Sequence, residues 1–559
     1  MILVEIELRR IQGFLFASPK LRDMVGANVM LGEAIRLGLT RKAIRHGSAD
    51  LSAFDLQLPG ADPEDPARPR AGEEFDSDDP AALARYGILA REGGHFRACF
   101  LDLSTAQAFC SDAQSFLLSQ LPGLRFTIHW RDLAAGQFAH DQKVPFDEAV
   151  DHVQEDAIIA APMFAVCSGL GSGRAVDTYR NEPVSDAVLN RRKAYEDFRN
   201  FGERAAATTG DVIGLMEPGL REHGRLPKDL KALCGREYMA VIHADGNSIG
   251  NAVKQIIDRH IVNDDASFLT REAAVEKFFF ENRLAFRKAV NTALKGRFAG
   301  KDGDPKTEGR TRPYQLLMLG GDDLLMVCRA RDAMRLVLEI TQELKKLSGA
   351  PTIGVGVAIA SPNVPFHHLN GLAETLTASA KRLYRCLEGE RRPASVIDWH
   401  VETGSWSNDP LAQRRRHHLI VSETPDGREH CVTIQRPIPI LPDAAGRQGH
   451  GEAEQVGPDL SCLNGLVDAA AELHAHRVAR SQLRALVPAL GRGRRLSTFT
   501  YRDAPSDLLK ILGDTAKVGL QEPWRQSAPG CWITPIPDLV EIFEIDRLAT
   551  AGRPTAEAS

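Results

Sequence analysis

Two apolar runs that meet at Gly-Gly-Asp-Asp, YQLLMLGGDDLLMVC from Tyr314 to Cys328, constrain this chain more than any other stretch. Apolar runs of this length bounded by turn residues suit buried strands, so the segment predicts a β-hairpin with two carboxylates at its tip. Gly320 and Gly321 can take backbone angles that a side chain forbids, and they let a ligand come close. Two adjacent carboxylates at a water-poor corner repel by about 4 kcal/mol at roughly 4 Å and an effective dielectric of 20. A divalent ion at Asp322 and Asp323 removes that cost. For the four residues taken alone, a solvated Gly-Asp turn is the plain alternative.

The rest of the chain supplies the context. At 559 residues, with 43% apolar and 26% charged residues, it has an ordinary core-forming composition and room for three or four domains. The first residues, MILVEIELRR, enter an alternating strand without a basic leader, and no apolar run reaches the length of a membrane span. A cytoplasmic protein is expected. Nine scattered cysteines without a CxxC pair argue against a disulfide framework or a structural zinc site. A formal net charge of -5 gives no global drive toward nucleic acid, and the short clusters Arg414 to Arg416 and Arg492 to Arg495 read first as solvated basic turns.

Read in order, residues 1–160 give a strand (Ile2 to Leu8), a long helical stretch (Ile11 to Leu37), strands on both sides of Gly93-Gly94, a helix (Thr105 to Gln120), a strand (Leu124 to Trp130) and a helix around Phe146 to Ala160. Gly60 to Pro80, rich in Pro, Asp and Glu, reads as an exposed loop or disordered insertion. Residues 161–235 read as a connector module. Residues 236–403 then repeat the first order. Tyr238 to His243 is a buried strand ending at Ala244-Asp245-Gly246-Asn247, and the helix after Ser248 carries Ile249, Val253, Ile256 and Ile257 on one face. A second helix leads into the hairpin, Asp332 caps the next helix, Thr352 to Ala360 is a strand, His368 to Glu388 a helix and Ala394 to Val401 a last strand. Residues 404–458 read as a hairpin-like segment and linker, and residues 459–559 as a helical domain with a disordered tail after about Gly552. The predicted fold is α+β: two ferredoxin-like palm domains, a connector and a C-terminal helical domain.

This order brings Asp245, at the end of one strand, toward Asp322 and Asp323 on the adjoining hairpin. Asp245, the Gly246 carbonyl, Asp322 and Asp323 are hard oxygens of the kind Mg²⁺ or Mn²⁺ prefers. Two such ions activate a hydroxyl nucleophile and neutralise a pyrophosphate leaving group. Asn247, Gly320, Gly321 and Lys381 are the candidate nucleotide contacts, although a lysine shielding its own helix would explain Lys381 as well. In the first copy the corner is Gly93-Gly94-His95-Phe96, and Arg9 or Arg10 stands nearest the position of Asp245. That copy is expected to keep the fold without the metal ligands.

These residues resemble the large polymerase/cyclase subunit of type III CRISPR effector complexes. IQGFLFASPKLRDMVGAN is similar to the start of that family's first palm, HADGNSIGN to its metal-binding strand end, LGGDDLLMV to its signature hairpin, and GVGVAIASPNVP with Ala380-Lys381 to the end of its catalytic palm. The resemblance covers about residues 1–403. It implies synthesis of cyclic oligoadenylate second messengers from ATP, switched on when a complex with guide RNA and the other effector subunits binds target RNA, and it implies no membrane partner. Three departures accompany it. No HD nuclease domain is expected before the first palm, and His140-Asp141 is expected to be a structural or surface pair. The zinc module is reduced to Cys167 within CSGLGSG, so no zinc is expected there, and Asn247 replaces an acid found in some members. Two other readings stay open: a palm cyclase making another cyclic nucleotide in a stand-alone defence system, and a non-catalytic scaffold subunit.

Overall fold

The computed structural model describes residues 1–67, 77–133, 144–146, 165–170, 173–200, 212–299, 310–402, 409–424, 427–442, 460–516 and 521–548. The expected helix around Phe146 to Ala160, the His140-Asp141 pair and the tail after Gly552 fall outside these residues. The chain forms two compact units, one of Met1–Ala232, Ser248–Leu325 and Leu347–Pro351, the other of Leu233–Asn247, Met326–Lys346 and Thr352–Ser559.

The first unit contains a five-stranded sheet of β1 (Ile2–Arg9), β2 (Ile88–Ala90), β3 (His95–Phe100), β4 (Arg125–Asp132) and β5 (Val144–Pro145), in the order β2-β3-β1-β4-β5. β1 is antiparallel to both β3 and β4. Its Val4, Ile6 and Leu8 alternate onto one face and meet Phe96, Phe100, Phe109, Phe126 and Ile128 in a continuous core. The helical stretch expected from Ile11 to Leu37 is divided into Ile11–Leu15, Leu21–Glu33 and a π-helical segment, Ala34–Leu39. Leu21–Glu33 crosses the helix Asp186–Asn200 so closely that a Cβ on Gly26 would lie 1.9 Å from the Arg191 carbonyl oxygen. Asp23 and Arg192, both fully buried, form an ion pair at 3.2 Å in the same contact. Before that helix, β6 (Asp177–Tyr179) and β7 (Glu182–Val184) make a small hairpin.

The stretch Gly60 to Pro80, of which residues 68–76 lie outside the described ones, is irregular with exposed residues as expected, but two of its acids are not solvated. Asp65 and Asp78 are buried, and their carboxylates meet Arg283 and Arg287 of the long helix Asp265–Phe298. A Pro- and Asp-rich segment looks solvated when read alone, but here Asp65 and Asp78 neutralise guanidiniums more than 200 residues away. The helix Ile249–Arg259 departs from expectation in the opposite way. No residue of it is buried, and Ile257 is 40% exposed, so its apolar stripe is not a core face.

A six-stranded sheet is built from β8 (Met239–Gly246), β9 (Tyr314–Gly320), β10 (Asp323–Arg329), β11 (Ile353–Ala360) and β12 (Val396–Val401). The chain then makes a hairpin of β13 (Leu419–Thr424) and β14 (Gly427–Val432) before β15 (Ile438–Pro439) completes the sheet, whose order is β15-β12-β11-β8-β10-β9. The run β9-β10-β8-β11 repeats the run β2-β3-β1-β4. All eight residues of β11 are buried, as expected for a central strand covered on both faces. The helix Phe366–Gly389 lies on β11, β12 and β8. Asp332 sits in the first turn of Ala330–Lys346, inside the helix it was expected to cap.

The C-terminal part carries strands as well as helices. β16 (Arg525–Ala528) and β17 (Cys531–Ile533) join the β13-β14 hairpin in a four-stranded sheet, β13-β14-β17-β16, with β14 parallel to β17. The same part contains the helices Leu463–Ala475, Arg480–Leu490, Arg494–Arg502, Ser506–Ala516 and Ile536–Leu548. Among the described residues no helix is long and apolar enough to cross a membrane.

Candidate metal and nucleotide site

β8 delivers Asp245 to the end of the six-stranded sheet, and the chain leaves the strand through Ser248, which adopts a left-handed conformation (φ 56°) before the helix Ile249–Arg259. β10 is the neighbour of β8, and the turn into it passes through Gly321 at φ 63°, where a side chain would be strained. Neighbouring strand ends therefore bring three acids together. One carboxylate oxygen from each of Asp245, Asp322 and Asp323 lies within 4.8 Å of the others, and all three residues are half-buried. A Cβ on Gly320 or Gly321 would meet nothing within 4 Å, so this corner is open to a ligand.

β11 governs what lies beside Asp245. In its antiparallel register with β8, Gly354 faces Asp245 and Gly356 faces His243. A Cβ on Gly356 would stand 2.1 Å from the Ala373 carbonyl oxygen and 2.5 Å from the Thr377 nitrogen, so the missing side chain is what lets the helix Phe366–Gly389 settle onto the sheet. Seated there, Lys381 reaches the strand end. Its ammonium donates to Asp245 Oδ2 and, at 2.9 Å, to the Gly246 carbonyl. The lysine stem crosses Gly354, where a Cβ would meet Lys381 Cγ at 2.8 Å and Asn247 Oδ1 at 3.2 Å.

Asn247 is only 6% exposed. Its backbone N–H donates to the Thr352 carbonyl (2.8 Å) and its Nδ2 to Thr352 Oγ1 (3.1 Å), while its Oδ1 has no hydrogen-bond partner among the described residues. His243, two residues before Asp245, is buried with Nδ1 3.0 Å from Thr377 Oγ1. Burial pushes its pKa down and the Lys381 charge adds to that, against the opposing pull of Asp245, which keeps the imidazole neutral beneath the site.

A divalent cation fits this donor set. Three carboxylates and the backbone carbonyl of Gly246 are hard ligands, and the buried Asn247 Oδ1 left unpaired costs on the order of 1–3 kcal/mol. Gly354, Gly356 and His243 were not singled out as site residues. The glycine alternation in GVGVA was the one signal available for the first two.

The matching corner of the five-stranded sheet is different. β1 also leaves its strand through a left-handed residue, Arg10 (φ 54°), so counting back from the turn places Glu7 where β8 has Asp245. The turn geometry thus puts Glu7 there in place of the expected Arg9 or Arg10. Glu7 lies 3.6 Å from Arg9 and is in register with His95. A Cβ on Gly94 would meet Ile11 Cδ1 at 2.6 Å while one on Gly93 would meet nothing within 4 Å, so Ile11 fills part of this corner, whereas both Gly320 and Gly321 face open space.

Residues 238–385 match the second palm domain of Cas10/Cmr2. The palm so defined contains Asp245, Asp322, Asp323 and Lys381, and the β8 to β11 core with the helix that carries Lys381. No curated protein matches the sequence. Among solved structures, the chain is similar to a Csm1-Csm4 cassette in complex with cA4 (13% identity, TM-score 0.47, covering 98% of this chain and 69% of that one). It is also similar to a Csm1-Csm4 cassette with cA3 (12%, 0.45, 98% and 69%) and to an apo cassette (12%, 0.37, 68% and 53%). The chain thus spans roughly half to two thirds of the length of these relatives. At these values the likeness bears on neither ligand nor partner.

Proposed function

We propose that this chain is a metal-dependent nucleotidyltransferase that converts ATP to cyclic oligoadenylates in type III CRISPR-type antiviral defence. The observation that carries the reading is the convergence of Asp245, Asp322 and Asp323 at neighbouring strand ends of a palm that matches Cas10/Cmr2. Bound there, Mg²⁺ or Mn²⁺ would lower the charge on a triphosphate and on the departing pyrophosphate. Asp245, Asp322, Asp323 and the Gly246 carbonyl are the residues that would hold it. Gly320 and Gly321 leave space that a triphosphate would occupy, and Lys381 and Asn247 would offer it a cation and an amide.

The reaction is attack of a 3′-hydroxyl oxygen on an α-phosphorus, with the α–β phosphoanhydride bond broken and pyrophosphate released. The five-stranded sheet is, on this reading, the first palm; it has Glu7 where β8 has Asp245 but Gly94 and His95 where the hairpin has Asp322 and Asp323, and it serves packing or the acceptor nucleotide. Adenine as the base, the cytoplasm as the place of action, and other effector subunits with guide and target RNA as partners follow from the family alone.

Mass spectrometry of products from all four nucleotides, with and without partner subunits and RNA, tests the proposal. Cyclic oligoadenylates are the expected product. A guanine-containing cyclic dinucleotide would assign a different palm cyclase, and the absence of any product under both conditions would assign a scaffold.

A further inference from the structure

Lys381 makes its contacts with Asp245 Oδ2 and the Gly246 carbonyl, two of the oxygens that a divalent ion would take. It can do so because Gly354 leaves the floor of the strand bare. Any side chain there would collide with the lysine stem, as the 2.8 Å approach to Cγ shows. The lysine is thus guided to the acid by two separate features, the seating of its helix over Gly356 and the gap at Gly354. An ammonium is a compact charge on a flexible four-carbon stem, able to leave one oxygen cluster for another within reach.

We propose that Lys381 is a built-in competitor for the metal. It holds Asp245 and the Gly246 carbonyl while no nucleotide is bound and gives them up when a triphosphate draws the ammonium away. This rests on the reading that Asp245, Asp322 and Asp323 hold a divalent ion. Its consequence is thermodynamic coupling. Metal binds weakly to the nucleotide-free protein, and metal and nucleotide strengthen each other because both relocate the same lysine. Such an arrangement keeps the acids neutralised between turnovers without committing a metal to the site.

The test is Mn²⁺ binding by the full-length chain, read from the electron paramagnetic resonance of free Mn²⁺ with and without a non-hydrolysable ATP analogue. Without nucleotide, Lys381→Met is expected to bind Mn²⁺ about tenfold more tightly than the parent, within the range of ordinary coupling between sites. Gly354→Ala, which keeps the lysine but blocks its path, is expected to shift affinity in the same direction, with an unchanged far-ultraviolet dichroism spectrum as the check on folding. In both variants the analogue should strengthen Mn²⁺ binding by a smaller factor than in the parent. In the parent, the Lys381 amine should become more reactive toward an acylating reagent as Mn²⁺ saturates the site.

Unchanged nucleotide-free affinity in Lys381→Met, with binding lost in the Asp322→Ala, Asp323→Ala double variant, would overturn the competitor role and leave the metal site standing. Parental Mn²⁺ binding by the double variant would overturn both.

Discussion

Asp78 accepts two 2.8 Å hydrogen bonds from Arg283, a residue 205 positions further along the chain, and a third at 2.7 Å from Arg287. Both guanidiniums and the carboxylate are buried. Removing one partner of such a cluster leaves uncompensated charge in the interior. Asp78→Ala is therefore expected to destabilise the protein by about 3–5 kcal/mol, measured by denaturant unfolding. A loss below ~1 kcal/mol would mean that the segment around Asp78 is not part of the folded core.

The same carboxylate sets an acid limit. Burial raises the Asp78 pKa, but the facing charges of Arg283 and Arg287 outweigh it and hold the group well below the usual carboxylate range. With a folded value below the unfolded one, its contribution is present above about pH 4 and lost as pH falls through the folded value. Glu276, raised by burial, works in the opposite sense and reduces the net effect. Melting temperatures taken from pH 5 to pH 2 should fall less steeply for Asp78→Asn than for the parent.

Asp538 predicts a slope of the other sign. Burial pushes its carboxyl up to about 6 despite the neighbouring Arg436 charge and the 2.7 Å hydrogen bond from the Gln435 N–H. The folded state then holds this proton more tightly than the unfolded state. Stability from this group is fully present below about pH 4 and is lost as pH rises through about 6, at no more than about 1.4 kcal/mol per pH unit. Asp538→Asn keeps the acceptor and should flatten the stability curve over that window, as followed by thermal melts.

Gly356→Ala should be far more damaging than its size suggests. The added Cβ would stand 2.1 Å from the Ala373 carbonyl oxygen, a backbone atom in mid-helix that cannot step aside. A loss of about 3 kcal/mol or more is expected, at the upper end of overpacking costs. Gly371→Ala, on the same helix with open space around it, is the control and should leave the melting temperature within a few degrees of the parent or raise it.

The two sheet corners should differ functionally. Asp245→Ala is expected to weaken Mn²⁺ binding beyond the 10–100-fold typical of residues that only support a ligand. His95→Ala and Glu7→Gln should leave product formation within a few-fold of the parent. A deep loss in either would place the partly filled corner in the chemistry.

The strand order around the hairpin was readable because apolar runs, glycine corners and helical spacing recur twice along the chain, and Asp245, Asp322 and Asp323 meet where that order places them. What sequence did not disclose depended on partners far along the chain. Asp65 and Asp78 sit in a segment whose composition signals solvent, and only Arg283 and Arg287 reveal their burial. β16 (RQSA) is exposed throughout and β17 (CWI) has three residues, too short to show a period. Lys381 could be narrowed to two roles from its helix position, but its contact with Asp245 requires Gly354, a residue that matters through the side chain it lacks.

The parallel pairing of β14 with β17 joins His430 to Cys531 and Val432 to Ile533. Parallel partners this distant cannot form until the intervening roughly one hundred residues have been made, and distant pairing is slow to begin with. At about 5–20 residues per second, a nascent chain carries the β13-β14 hairpin for seconds with one strand edge bare. Such an edge is a template for other chains. During synthesis this hairpin therefore presents a bare edge until the C-terminal strands have emerged to cover it.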